Sequence, residues 1–211
     1  MKIAFLLRGI SGGEGNRINW TKCKDTIQKA ITDLSVNNKV SVYLVTYIHP
    51  SNYDLAKFYN PVKVFLLPLN GSTQRRTSIE SIKYLANEDV DVIISTRFDI
   101  EFHLDLTEWN FEWNKFNFLH KELTHWNRKF VSDLLFVFPK KYIPEFITAM
   151  ELEDKNPERP DCDDLHPIYK HLVDKVDIHF IFEDYTQDGN FKTFFIRYQN
   201  NKPIYTIHRR N

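Results

Sequence analysis

The chain is poor in cysteine. Its 211 residues include only Cys23 and Cys162, and their spacing matches no metal-binding motif. Two cysteines also cannot form the disulfide framework that stabilises many small secreted domains. We therefore expect reduced thiols, a cytoplasmic location and a fold that is stabilised by a hydrophobic core.

The sequence also lacks a long apolar segment and an excess of either charge. No run approaches the roughly 20 apolar residues of a membrane span, and the opening MKIAFLLRG is too short for a signal peptide. Lysine plus arginine and aspartate plus glutamate number 28 each, so no net field favours nucleic acid. We expect neither a membrane span nor a nucleic-acid partner, although a local basic cleft is compatible with this balance.

Short apolar runs alternate with helical patterns in the first half of the chain. This alternation indicates a mostly parallel sheet with helices on its faces. Thr77 and Glu80 fit a capping box at the start of the third helix. The predicted strands are 2–7, 39–47, 62–69 and 90–94, and the predicted helices are 20–34, 53–59 and 77–87.

The second half is less regular and predicts an antiparallel C-terminal portion. The sequence QDGN at 187–190 is typical of a hairpin turn. With no repeat or linker, residues 1–211 are predicted to be one α/β domain with a mixed, mostly parallel central sheet. The predicted strands are 116–120, 132–138, 176–183, 191–198 and 203–208, and the predicted helices are 140–152 and 163–174.

Polar side chains follow the apolar strand in VDVIISTRFDIEF, residues 90–102. Arg97, Asp99 and Glu101 are two residues apart, so an extended chain would place them on one face. Open α/β sheets bind ligands at the carboxyl ends of their strands. Carboxylates there could hold a divalent cation that neutralises a diphosphate leaving group. The alternative is a solvated strand end.

Glycines are concentrated after the first strand: four of the six lie between residues 9 and 15. Such a turn lets backbone amides approach a nucleotide closely. Its spacing matches neither G-x-G-x-x-G nor a P-loop. We predict that Leu7, Arg8 and Gly9 receive a base and ribose, and that Gly12–Arg17 forms a mobile flap. The alternative is a flexible loop without a ligand.

Two further basic segments are candidate phosphate sites. Gln74, Arg75 and Arg76 stand near a predicted helix N-terminus, where arginines oppose the helix dipole and an anion would be favourable. A solvated basic turn explains them equally well. At the C-terminus, His208 and Arg209 could supply an imidazole ligand and a phosphate partner, although a lone terminal histidine is normally idle.

Carboxylates of the second half are candidates for contact with a sugar or an acceptor hydroxyl. Asp133 precedes the apolar run LLFVF and is expected at the rim of a strand. Asp163 and Asp164, in the run DCDDLH with Asp161 and His166, lie near a predicted helix start, where acidic residues are also expected for structural reasons.

Together these elements resemble the glycosyltransferases of the GT-A fold, and in particular the small glycosyltransferase domain encoded by chlorella viruses. The resemblance implies a nucleotide-binding half (1–102) and an acceptor half (103–211). The segment Arg97-Phe98-Asp99 matches an Asp-x-Asp motif with arginine in the first position. Asp99 thereby takes the metal role, assisted by Glu101, and His208 corresponds to a C-terminal metal histidine.

The resemblance further implies a Mn²⁺-dependent (or Mg²⁺-dependent) hexosyltransferase. The donor would be a UDP-sugar of the glucose or rhamnose type, and the acceptor a glycan hydroxyl on a viral capsid glycoprotein in the host cytoplasm. A histidine ligand favours a retaining reaction. Two other functions stay open: a non-catalytic sugar-nucleotide or carbohydrate-binding module, and a metal-dependent phosphotransferase or nuclease.

Overall fold

The computed structural model describes residues 1–11, 20–68, 74–155, 165–183, 185–190 and 194–208. Its strands are β1 (Lys2–Arg8), β2 (Lys39–Tyr47), β3 (Lys63–Leu67), β4 (Val92–Arg97), β5 (Ile100–Phe102), β6 (Phe116–Phe118), β7 (Leu135–Pro139), β8 (Ile178–Phe180), β9 (Thr186–Asn190), β10 (Phe194–Gln199) and β11 (Lys202–His208). Its α-helices are α1 (Lys24–Ser35), α2 (Asn52–Tyr59), α3 (Gln74–Leu85), α4 (Ile143–Asp154) and α5 (Tyr169–Leu172). Short 3-10 segments lie at Trp20–Lys22, Leu106–Glu108, Leu123–Arg128, Lys140–Tyr142 and His166–Ile168.

The described strands form two sheets. The central sheet has seven strands in the order β3-β2-β1-β4-β7-β6-β8, and the smaller sheet has four in the order β5-β11-β10-β9. Strands β3, β2, β1 and β4 are parallel to one another, whereas β7 is antiparallel to β4 and to β6. The small sheet is antiparallel throughout. Both features confirm the predicted fold class.

Helices cover both faces of the central sheet because its inner strands are apolar on both sides. In β1, Phe5 packs in a core with α1 and α2, while Leu6 packs in a second core with α3 and α4. Continuous apolar runs are typical of such doubly covered parallel strands. The second core includes an aromatic cluster around Phe146, whose ring lies 5.1 Å from that of Phe116. Among the described residues, no helix is long and apolar enough to cross a membrane.

Two local predictions were wrong. Helix α3 begins at Gln74, so Thr77 lies inside the helix, where its hydroxyl contacts that of Tyr47 instead of capping. The QDGN segment is part of β9 and pairs with β10, because sheet pairing overrides its turn propensity. A two-residue turn occurs instead between β10 and β11, where Asn200 and Asn201 have φ values of 52° and 61°. Positive φ at both positions is characteristic of the type I′ hairpin turn.

Candidate functional site

A cavity of about 870 Å³ lies where the central sheet meets the small sheet. Its volume is that of a small-molecule or cofactor site. The wall combines side chains from the end of β4, the start of α3, the segment before β7, and strands β9 to β11. Its polar residues include Gln74, Arg97, Glu122, Asp133, His166, Tyr185 and Arg197.

Asp133 places a buried, negatively charged carboxylate on the wall of this cavity. Its side chain is almost fully buried and accepts a hydrogen bond of 2.6 Å from Gln74 Nε2. Arg97 Nη1 lies 3.6 Å from Asp133 Oδ1. Burial by itself would raise the pKa of Asp133, but the charges of His166, Arg97 and Arg8 and the Gln74 hydrogen bond together hold it well below its usual value. The carboxylate is therefore ionised at neutral pH and held in one orientation.

Arg8 is hydrogen-bonded to the backbone of Asp133. It is 1% exposed, and its guanidinium donates to Ser95 Oγ at 3.1 Å and to the backbone oxygen of Asp133 at 2.9 Å. Burial lowers the pKa of Arg8 to about 10, so the group stays charged at neutral pH. Leu7 and Phe98 are core residues with fully buried side chains. A contact between either residue and a cofactor would have to be made by the backbone.

Arg97 and Asp99 form a closed ion pair at the carboxyl end of β4. Arg97 Nε donates to Asp99 Oδ1 at 2.8 Å, and Nη2 contacts Oδ2. The sequence spacing would place Arg97, Asp99 and Glu101 on one face of an extended chain, but the chain is not extended throughout this segment. The chain leaves the central sheet after Arg97 and enters the small sheet at Ile100, so Asp99 occupies the turn between them.

Glu101 and His208 form a second pair, on the neighbouring strands β5 and β11. Their Oε2 and Nε2 atoms are 2.6 Å apart, and both side chains are partly exposed. The backbone N–H of His208 donates to the carbonyl of Asp99 at 2.9 Å, which brings the two pairs side by side. Neither Glu101 nor His208 belongs to the described wall of the large cavity. Arg97 connects the two regions, since it contacts Asp99 and lines the cavity beside Asp133.

These pairs restrict how a divalent cation could bind. The described residues contain no group of three or more His, Cys, Asp or Glu side chains arranged to hold a metal ion. Glu101 and His208 offer one carboxylate and one imidazole, which suits an ion whose other positions are filled by phosphate oxygens and water. Asp99 could join them only if Arg97 released its carboxylate. Metal binding stays a prediction, with Glu101 and His208 as the fitting pair.

The side chains of the first three residues of α3 lie in three different environments. Gln74 reaches the cavity and Asp133, as described above. Arg75 is buried between α3 and α4, where Nη1 donates to the backbone oxygen of Glu153 at 2.6 Å. Arg76 is exposed. Of the three, Gln74 alone lines the large cavity among the described residues.

Gly9 lies just after β1, where the predicted nucleotide loop begins. It has a φ of 104°, a conformation that favours glycine, and its N–H donates to the carbonyl of Val45 at 3.0 Å. A Cβ built on Gly9 would have no neighbour within 4 Å, so the described chain leaves this backbone open to close approach. Five other candidates lie outside the described residues: Gly12, Arg17, Asp163, Asp164 and Arg209.

Sequence reasoning missed the far wall of the cavity. Arg197 lies with its guanidinium carbon 4.4 Å from the ring centre of Tyr185 and with Nη2 3.5 Å from Glu122 Oε2. Behind them His120 is fully buried, and its Nε2 lies 2.7 Å from the hydroxyl of Tyr205. Burial, and then the charge of Arg197, lowers the pKa of His120 to about 3. Arg197 could have been recognised in the sequence as the one charged residue in the otherwise apolar strand FFIRY.

The wall includes a buried hydroxyl that a ligand could contact. The Ser132 hydroxyl is buried and has no hydrogen-bond partner within the described part of the chain. Buried polar groups are nearly always hydrogen-bonded, so an orphan beside a cavity indicates a missing partner. His166 also lines the cavity, and its Nδ1 lies 2.7 Å from the carbonyl of Val131 and donates to it.

Comparison with known proteins identifies the fold. No protein-family model and no curated protein sequence matches this chain. Solved structures do match. A nucleoside-diphosphate-sugar pyrophosphorylase from Vibrio cholerae RC9 superposes with a TM-score of 0.51 over 87% of this chain and 92% of its own, at 13% identity. The chain has a GT-A-like fold.

A second structural neighbour is a candidate nucleotide-diphospho-sugar transferase from Desulfovibrio desulfuricans G20. It has a TM-score of 0.49 and 8% identity, and covers 86% of this chain and 79% of its own. At these identities the likeness concerns the fold. The comparisons do not support the resemblance to chlorella-virus domains, which stays a prediction.

Proposed function

We propose that this chain is a sugar-nucleotide-dependent transferase that moves a glycosyl group from a UDP-sugar to a hydroxyl of a glycan. The observation that carries the proposal is the cavity of about 870 Å³ at the carboxyl end of β4, with Asp133 fixed as an anion on its wall. Ligands of open α/β sheets bind at this edge. The structural likeness to a nucleoside-diphosphate-sugar pyrophosphorylase supports a nucleotide sugar as the ligand.

Arg97 and Asp133 have different tasks in this proposal. Arg97 stands between the cavity and the Glu101–His208 pair, where its guanidinium would stabilise negative charge on a departing diphosphate. Asp133 would accept hydrogen bonds from hydroxyls of the transferred sugar or the acceptor. A carboxylate with so low a pKa is a weak base, so we assign Asp133 to orientation and not to proton abstraction. A retaining reaction, which needs no carboxylate base on the acceptor, agrees with this assignment.

We further propose Mn²⁺, or alternatively Mg²⁺, as the cofactor. Glu101 and His208 would hold the ion, which supplies positive charge beside the diphosphate. The transferred sugar would be a hexose or deoxyhexose of the glucose or rhamnose type. The acceptor would be a glycan, on a viral capsid protein. These finer assignments are supported by the sequence resemblance alone.

A pyrophosphorylase is the second candidate, because the Vibrio protein with the same fold carries that name. Such an enzyme would convert a UDP-sugar and pyrophosphate into UTP and a sugar 1-phosphate. A transferase would instead release UDP. A third candidate, the non-catalytic binding module, would bind a sugar nucleotide and release neither product.

The proposal is tested by thermal unfolding of the full chain with UDP, GDP or CMP, each with and without Mn²⁺. At UDP concentrations about 100-fold above Kd, binding stabilises the native state by about 2.7 kcal/mol. For a chain of this size that corresponds to a rise in Tm of roughly 5 to 10 °C. We expect UDP with Mn²⁺ to give the largest shift.

A pair of matched variants tests whether the Mn²⁺-dependent part of the UDP shift depends on Glu101. Glu101→Gln should remove the Mn²⁺-dependent part of the UDP shift, whereas Glu108→Gln, at an exposed position outside the described cavity wall, should keep it. Stabilisation by GDP or CMP without any by UDP would contradict the proposed donor. Equal UDP shifts with and without Mn²⁺ would contradict the proposed cofactor.

A further inference from the structure

A second cavity, of about 420 Å³, adjoins the first. Tyr185 lines both cavities. The other polar residues of the second cavity are Glu183, Tyr198, Gln199, Asn200 and Asn201.

The lining favours a neutral, polyhydroxylated ligand. Two phenols and three side-chain amides each offer both donors and acceptors, which matches the hydroxyl groups of sugars. Tyrosine rings also present apolar faces on which the C–H faces of a sugar ring can pack. The described wall residues include one carboxylate, Glu183, and no lysine or arginine, so they offer a phosphate no cation and disfavour an anionic ligand. Ile181 is the single aliphatic residue among them, so an apolar ligand has little surface to contact.

The backbone holds this wall in place. Asn200 and Asn201 form the two-residue turn between β10 and β11 with φ values of 52° and 61°, which fixes the directions in which their side chains leave the backbone. The pairing of β10 with β11 shifts register between Arg197 and Tyr198. The unpaired residue of this irregularity is Ile204, on β11. On β10, successive side chains point to opposite faces, so Arg197 lines the large cavity and Tyr198 the second.

Tyr185 is a rigid boundary between the two cavities. The guanidinium of Arg197 lies over the ring of Tyr185, and the hydroxyl of Tyr185 accepts a hydrogen bond of 3.3 Å from the backbone N–H of Leu123. The imidazole of His120 lies 4.2 Å away, centre to centre. A ligand that extends from one cavity to the other would pass a fixed aromatic side chain.

We infer that the second cavity is an acceptor subsite for a neutral oligosaccharide. It would hold the sugar unit next to the one that receives the transferred group in the large cavity, with Tyr185 between them. This inference rests on the proposed transferase function and adds that the acceptor has at least two sugar units.

The test measures the binding of neutral sugars of increasing length to the full chain by NMR titration without nucleotide. The probes are methyl glucoside, disaccharides and trisaccharides, in α-linked and β-linked series. We expect at least one series to bind more tightly at two or three units than at one. Asn201→Gly and Tyr198→Ala should each weaken binding of the longer sugar by about threefold to tenfold and leave the monosaccharide unchanged. Glycine keeps the positive φ of residue 201 without strain.

Two control variants carry the same types of substitution at residues that line neither cavity. Asn60, with a φ of 44° at the end of α2, and Tyr53, 75% exposed on the same helix, line neither cavity. Asn60→Gly and Tyr53→Ala should bind every probe as the unsubstituted chain does. Binding that is independent of length in every series, no binding of any probe, or unchanged binding by Asn201→Gly and Tyr198→Ala would overturn the inference.

Thermal shifts with UDP separate this inference from the proposed function. A chain that is stabilised by UDP but shows no preference for longer sugars contradicts the subsite alone. A chain that prefers longer sugars but ignores every nucleotide contradicts the donor and leaves the second cavity as a sugar site. Retained UDP shifts in the Asn201→Gly and Tyr198→Ala variants also show that both fold.

Discussion

Replacing Asp133 with asparagine removes a buried charge while nearly preserving the shape of the side chain. The amide oxygen can still accept from Gln74 Nε2, but the attraction to Arg97 and Arg8 is lost. Hydrogen bonds to charged groups contribute about 1.5–3 kcal/mol, and breaking a fully buried ion pair costs about 3–5 kcal/mol. Arg97 keeps Asp99 as a partner and is 17% exposed, so the lower range applies.

We therefore expect Asp133→Asn to lower the free energy of unfolding at pH 7 by about 1.5–3 kcal/mol. The corresponding fall in Tm is roughly 3 to 12 °C. Urea denaturation followed by circular dichroism measures the first value, and thermal denaturation measures the second. The matched control is Asp89→Asn, at an exposed surface pair with Lys2, where we expect little change.

The pH dependence of the same difference has a defined sign. The pKa of Asp133 in the native state is held well below the value of about 3.9 in the unfolded chain. Between these values the unfolded chain binds a proton that the native chain does not. The stabilisation is therefore fully present above about pH 4 and is lost as pH falls towards the native pKa. The difference in unfolding free energy between Asp133→Asn and the unsubstituted chain should therefore narrow as pH falls from about 4 to 3. A variant as stable as the parent at pH 7, or a difference that grows below pH 4, would contradict a stabilising charge on Asp133.

Other predictions concern the core and the buried histidine. Phe146→Ala should lower the free energy of unfolding, measured by urea denaturation, by about 3–5 kcal/mol, because it opens a cavity in the aromatic cluster. Leu152, on the same helix, is 46% exposed, so Leu152→Ala should lower it far less. Tyr205→Phe should cost about 1–3 kcal/mol by leaving His120 Nε2 buried without its partner; an unchanged Tm would contradict that bond. The pKa of His120 near 3 means that its NMR signals should not titrate between pH 8 and pH 5. Since the unfolded histidine binds a proton below about pH 6.5, this group should reduce stability as pH falls from there towards 3.

The strands that are buried on both faces could be predicted from the sequence. The runs at 2–7 and 39–47 correspond to Lys2–Arg8 and Lys39–Tyr47, because a parallel strand between two helical layers is apolar throughout. The apolar spacing in α1 likewise predicted its buried face. Local signals failed where tertiary contacts decide the outcome. Thr77 has the chemistry of a cap but lies within α3, and QDGN has that of a turn but pairs as a strand.

The candidate site was predictable on one side. Arg97, Gln74 and Asp133 meet at one edge because a strand end, a helix start and a strand start converge there, and each was recognisable locally. The opposite wall depends on the order of the small sheet, β5-β11-β10-β9, which joins residues about 100 positions apart, as in the pairing of Ile207 with Ile100. No local pattern encodes that pairing, so Tyr185 and Arg197 could not be placed beside Arg97 from the sequence.

Glycosyl transfer would be seen in the products formed when the purified chain is incubated with UDP-glucose or UDP-rhamnose and Mn²⁺, with and without neutral oligosaccharides. We expect that UDP is released, that an oligosaccharide accelerates the release, and that the oligosaccharide gains one sugar unit by mass. No UDP from either donor under any condition would contradict the proposed transfer. So would the formation of UTP and a sugar 1-phosphate when pyrophosphate is added.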